Sequence, residues 1–221
     1  MTDRHLRVLV VSDTESKFLW DYFDRTCLEG VELIISCGDV RADYLSFLVT
    51  MLPVPCLYVP GNHDASYLLH PPEGCEDLTL GPKTIKGIRF VGFGGCKSGA
   101  PKPYHYTEEI MQRLVRRAIP KFMFTGFDVL VTHCPAYGLG DGSDPFHEGF
   151  HVYRSLIDRY KPAYHFHGHQ HPSYNSRQPR DLIYGETTVI NGYNYRILDL
   201  TIPAKNEQDK KQTKKGLKPR G

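Results

Sequence analysis

Short apolar runs separated by polar turns organise this chain. LRVLVVS, residues 6–12, is rich in Val and Leu and is closed by polar residues, which predicts a buried strand. VELIISC (31–37), CLYVP (56–60), DVLVT (128–132) and AYHFH (163–167) repeat that pattern. TIKGIRFVGFGG (84–95) predicts a hairpin that turns at Lys86–Gly87. Helical spacing appears at 16–24, near 43–51, at 107–119 and at 152–160. In the clearest of these, TEEIMQRLVRRAI, Thr107 is placed to cap the helix, and Ile110, Leu114 and Ala118 share a face. TTVIN (187–191) and YRILDL (195–200) are expected to close the body as antiparallel strands. Strands alternating with helices predict an α/β architecture with its sheet buried between helices.

Composition sharpens this only in part. A chain of 221 residues with 40% hydrophobic content can bury a stable core without staples, and it suits one domain better than two. The expected domain is 1–204. The tail from Lys205 carries seven Lys/Arg against two acids, so the net charge of +2 conceals a basic end on a slightly acidic body. The tail lacks periodicity and is expected to be a disordered, solubilising segment. Contact with nucleic acid is its less favoured role. No run approaches the roughly 20 apolar residues of a membrane span, and the first apolar run is too short for a signal peptide. A cytoplasmic protein without membrane contact is expected. The six cysteines form no C-x-x-C pair and read as reduced, packed thiols.

Candidate chemistry lies where the runs stop. The first strand ends at Asp13-Thr14-Glu15, the second at Gly38-Asp39, and the third at Gly61-Asn62-His63-Asp64. DVLVT ends at His133, and AYHFH at Gly168-His169-Gln170-His171. Ligands of α/β sheets bind beyond the carboxyl ends of strands. Taken singly, Asp13 or Asp39 is explained as a helix cap, Asn62 as an Asx turn and His133 as a core histidine. Five strand ends that all carry ligand-type side chains point to a metal centre instead. Carboxylate, amide and imidazole without thiolate suit Mn, Fe, Zn, Ni or Co. Seven donors exceed one tetrahedral ion and fit two ions, roughly 3.5–4 Å apart, that share a carboxylate.

The order of these motifs resembles the calcineurin-like metallophosphoesterases, whose pattern is D-x-H, G-D, G-N-H-D/E, a later H, and G-H-x-H. A weaker likeness to a phosphodiesterase-like branch lies in THCPAYGLGD and the following HEG. The resemblance implies a single-domain αββα sandwich, with mixed sheets flanked by helices and a dinuclear site at one edge. Asp39 would bridge two divalent ions. Asp13, Glu15 and His171 would complete the first set, and Asn62, His133 and His169 the second. His63 would face the substrate as general acid, with Asp64 orienting its ring. His147, in the H-x-G segment, would contact the substrate. His165 and His167 precede the motif and are expected to pack or to support the ligands.

One position departs from the pattern. Glu15 stands where the family carries a neutral imidazole. As a ligand it would add negative charge and favour Mn or Fe over Zn. Ser12-x-x-Glu15 also reads as a capping box for the next helix.

The expected activity is hydrolysis of a small phosphorylated substrate, such as a nucleotide, and of a diester rather than a monoester. Two cations neutralise phosphate oxygens and lower the pKa of a bound water, and the resulting metal-bound hydroxide attacks phosphorus. Loops 94–106 and 138–151 are candidate specificity segments, with Lys97 offered for phosphate and Tyr104 or Tyr106 for a base, though an ordinary surface or packing role is the favoured reading of each. Two alternatives stand beside this one. A nuclease would use the basic tail and show steep salt dependence. A metal-binding scaffold would have lost catalysis, beginning at Glu15.

Overall fold

Alternation within the strands decides the layers. In the computed structural model, which describes residues 2–145, 147–171 and 179–204, β1 (Arg4–Ser12) sends Leu6, Val8 and Val10 to one face and Leu9 and Val11 to the other. Both sets are buried, so the run reads as continuously apolar. α1 (Lys17–Trp20), β2 (Leu33–Ser36), α2 (Ala42–Met51), β3 (Cys56–Tyr58) and β4 (Glu76–Asp77) follow. A hairpin of β5 (Lys83–Ile85) and β6 (Ile88–Phe93) comes next, then β7 (Cys96–Lys97), β8 (His105–Tyr106), α3 (Glu108–Ala118) and β9 (Val129–Thr132). The described body closes with α4 (His151–Tyr160), β10 (Tyr164–His167), β11 (Asp181–Tyr184), β12 (Thr187–Asn191) and β13 (Asn194–Ile202).

Two sheets result. The first has the order β13-β1-β2-β3-β4, parallel except for β13, which runs antiparallel to β1. The second has the order β11-β12-β10-β9-β6-β5, with a parallel centre and antiparallel edges. Val8, Ile35 and Leu57 of the first sheet meet Phe90, Val131 and Phe166 of the second in a shared core. α1 and α2 cover the outer face of the first sheet, where Trp20 stacks on Tyr44. α3 and α4 cover the outer face of the second. This is the expected α/β sandwich between helices. Each fully buried Val, Leu, Ile or Phe contributes about 1.5–3 kcal/mol, so the sandwich is held chiefly by apolar burial.

Three local expectations give way. The helix expected over 16–24 spans only Lys17–Trp20, because the Asp24 carboxylate captures the Thr26 N–H at 2.9 Å and starts a separate 3-10 turn at Arg25–Leu28. β12 and β13 do not pair with each other. β12 lies antiparallel to β11 and β13 antiparallel to β1, so the chain crosses between sheets at Gly192–Tyr193. On α3 the fully buried stripe is Met111 and Val115, while Ile110 is exposed and Leu114 and Ala118 are half-buried. The other hairpin is as read, with Lys86 and Gly87 both at positive φ, as a two-residue type I′ turn requires. Among the described residues no helix is long and apolar enough to cross a membrane. The basic tail, 205–221, lies outside the described residues.

Candidate metal centre

The loops that follow β1, β2, β3, β9 and β10 meet at one edge of the sandwich, and the backbone there is strained. Asp13 (φ 65°), Asp39 (φ 56°) and His169 (φ 66°) all occupy the left-handed region. Such a conformation costs a non-glycine residue on the order of 1–3 kcal/mol and persists only where the surroundings enforce it. Here each strained N–H is held by another loop. Asp13 donates to the Gly38 carbonyl at 3.1 Å. Asp39 donates to Asp64 Oδ2 at 2.7 Å, and His169 donates to both Asp13 oxygens at 2.9 and 3.0 Å. Close approach also demands glycine. A Cβ on Gly61 would lie 2.0 Å from Asp39 Oδ1, and one on Gly168 would lie 2.0 Å from Ser12 Oγ.

The donors converge. Ligand atoms of Asp39, His133 and His169 all lie within 4.8 Å of one another. His133 Nε2 is 2.9 Å from Asn62 Oδ1 and 3.3 Å from Asp39 Oδ2. Its Nδ1–H donates to the Cys37 carbonyl at 2.8 Å, which leaves Nε2 as the inward-facing ligand atom. His171 Nε2 lies 3.6 Å from Asp13 Oδ1. Burial opposes charge on His133, yet Asp39 and Asp13 outweigh it and raise the imidazole to about 9. Burial likewise opposes charge on Asp39, but His133 and His63 bring its carboxyl down to about 2. A divalent cation would compete for the position of that proton. Oxygen and imidazole donors at these separations fit such an ion.

Other expected site residues occupy more specific places. The His63 ring is exposed, with Nε2 4.0 Å from Asp39 Oδ2, and the His63 N–H donates to Asp39 Oδ1 at 2.7 Å. Asp64 was expected at the His63 ring, but its buried Oδ2 accepts from the Asp39 and Gly61 N–H groups, each at 2.7 Å. Burial, with Asp39 nearby, raises the Asp64 carboxyl to about 7. Glu15 Oε1 accepts from the Arg41 N–H at 2.8 Å, at the start of α2, and so caps a different helix from the one its spacing suggested. His147 lies with its ring 5.6 Å from that of His169. Lys97 pairs with Glu148 at 2.5 Å rather than facing the centre alone. His165 Nε2–H donates to Thr132 Oγ1 at 2.8 Å, and His167 Nδ1–H donates to the Gly168 carbonyl at 2.9 Å. Both are buried.

Two supporting residues escaped the sequence reading. The Gln170 side chain donates to the His147 carbonyl at 2.7 Å and ties loop 138–151 to the G-H-x-H loop. Asn191 Nδ2 donates to the Gln170 carbonyl at 2.7 Å, between His169 and His171. Gln170 carried a signal in its place between them. Asn191, at the end of β12, carried none beyond that position.

Oxygen donors interleaved with imidazoles, at the carboxyl edge of two stacked sheets, are the equipment of a metallohydrolase. A profile described as calcineurin-like phosphoesterase matches residues 6–173, and the chain belongs to that family of metal-dependent phosphoesterases. Solved structures share the fold. One crystal structure superposes with a TM-score of 0.65 at 15% identity, covering 89% of this chain and 95% of the other. The protein TT1561 of Thermus thermophilus superposes at 0.60 with 16% identity, covering 90% and 98%. No curated protein sequence matches significantly.

Replacing Gly61 with alanine should drive Asp39 from its place. Metal content after Mn²⁺ loading, read by elemental analysis, should fall well below that of the wild type, and unchanged content would show that Gly61 is not needed for the close approach.

Proposed function

We propose that the chain hydrolyses a small phosphodiester, of a nucleotide or a similar phosphorylated molecule, at a dinuclear centre. The convergence of Asp39, His133 and His169, with Asp13 and His171 beside them, carries this reading. Asp39 would be shared between the two ions. Asp13, Glu15 and His171 would hold the first, and Asn62, His133 and His169 the second. Carboxylates dominate the first set, so Mn²⁺ or Fe²⁺ suits it better than Zn²⁺, Ni²⁺ or Co²⁺.

Two bound divalent ions neutralise phosphate oxygens and lower the pKa of water towards neutrality. The protein's own groups supply the rest. The backbone amides of His63 and His169 fix the carboxylates of Asp39 and Asp13 in place, so the donors need not reorganise. The exposed His63 ring, beside Asp39, protonates the leaving alkoxide as general acid. Asp64 serves that step indirectly, by holding the loop that carries His63. His147 contacts the substrate from the rim.

Metal-stripped protein refilled with Mn²⁺ should turn over bis-p-nitrophenyl phosphate, and Asp39→Ala should not. Absence of turnover with Mn²⁺, Fe²⁺, Ni²⁺ and Zn²⁺ alike would overturn the diesterase reading. In His63→Ala, diesters with poor leaving groups should slow far more than those with good ones, because only the former need the proton. Equal losses would remove His63 from that role. Glu15→Ala should reduce the ions bound per chain from two to one, as counted by calorimetric titration with Mn²⁺. Retention of two would leave Glu15 with its bond to α2 as its sole task.

A further inference from the structure

The α3 face expected from its spacing packs against the core only in part. Leu114 and Ala118 stay half-buried and border a cavity of about 260 Å³, together with Phe93, Tyr104, Tyr106 and Met111. The exposed Arg117 and Lys121 also line it. This cavity is separate from the ligand donors described above.

Its aromatic wall is built rather than incidental. Tyr104 sits at φ 60°, a conformation that bulky residues rarely adopt. A Cβ on Gly95 would lie 2.3 Å from the Tyr104 carbonyl oxygen and 2.6 Å from the Tyr106 ring. Backbone bonds pin the loop, from Cys96 N–H to the Tyr104 carbonyl at 3.0 Å and from Ser98 N–H to the Tyr106 carbonyl at 2.9 Å. Strain of this kind is retained where it positions a side chain.

The polar groups are available. Among the described residues the exposed Arg117 side chain has no ion pair or hydrogen bond. Lys121 Nζ donates once, to the Leu80 carbonyl at 2.7 Å, and keeps two further protons. The tyrosine hydroxyls bond no described residue, and burial, aided by Asp77, raises both phenols above their ordinary value. Asp77 disfavours negative charge beside the tyrosines, whereas Arg117 and Lys121 bring positive charge to the lining. Pockets for drug-sized molecules run about 300–1,000 Å³. The space here therefore takes one or two fused rings with a single anionic group.

We propose that this cavity binds a small aromatic anion, its ring against Tyr104, Tyr106, Met111 and Leu114 and its charge on Arg117 and Lys121, independently of the metal ions. Naphthalene-1-sulfonate titrated into metal-stripped protein tests this by calorimetry. Saturable one-to-one binding is expected. Leu114→Trp, which fills the cavity, should abolish it. The double variant Arg117→Gln/Lys121→Gln should weaken it at least about tenfold at low salt, where exposed charges act most strongly. Methanesulfonate, which lacks the ring, should not compete. No saturable binding, unchanged affinity in the double variant, or displacement by methanesulfonate would overturn the proposal. Thermal melts check that Leu114→Trp folds. If it does not, the double variant, confined to exposed side chains, decides.

Discussion

Carboxylate to backbone-amide bonds between loops are the interaction on which the rest of this site depends. Acids brought to one edge repel one another and lose water as they are buried. Here each is answered by an N–H from a different stretch of chain. Asp13 accepts from His169, Asp39 from His63, Asp64 from Asp39 and Gly61, and Glu15 from Arg41. Hydrogen bonds to charged groups contribute about 1.5–3 kcal/mol each, enough to offset the strain at the three left-handed residues. The same bonds that let acids gather also fix where their free oxygens point. Glu15 gains meaning in this setting, because as a carboxylate it ties the first loop to the second, a bond a neutral imidazole in its place would not make in the same way.

The sandwich explains why the chemistry sits at an edge. The carboxyl-terminal part of β1, from Val8 to Ser12, is buried on both faces, so it has no polar side chain that reaches water. Polar groups of the site therefore follow the strand end. The strands β1, β2 and β3 run parallel in the first sheet, and β9 and β10 run parallel in the second, so within each sheet the carboxyl ends gather on one side. The bond from His133 Nδ1 to the Cys37 carbonyl then joins the two sheets directly beneath the donors.

Much of this was legible in the sequence, for physical reasons. Buried strands must be apolar at nearly every position, so LRVLVVS and DVLVT announce themselves. Ligand-type residues at five strand ends are statistically conspicuous, and Asp39, Asn62, His133 and His169 lie near one another at the edge. Less legible were features decided by contacts between distant segments. Glu15 sits at the right spacing to cap the following helix but binds the start of α2, because the loop after β2 passes beside it. Asp64 is next to His63 in sequence, yet its side chain turns inward to amides that no local pattern reveals. Asn191 reaches the ligand loop only because β12 lies beside β10. The stripe on α3 misled for a related reason, since periodicity gives a helix its apolar side but not the neighbour that side meets.

The pairing of β13 with β1 joins residues nearly two hundred positions apart, from Arg4 with Ile202 to Ser12 with Asn194. Long-range pairing of this kind forms slowly, since the loop entropy must be overcome before the contacts exist. During synthesis, β1 emerges early and waits for its outer neighbour until almost the whole body has left the ribosome. Asp13, at the tip of β1, waits equally for the amide of His169. The nascent chain therefore carries Asp13 long before the amide that fixes its carboxylate, and the gathering of these side chains at the sheet edge belongs to late folding rather than to its nucleation.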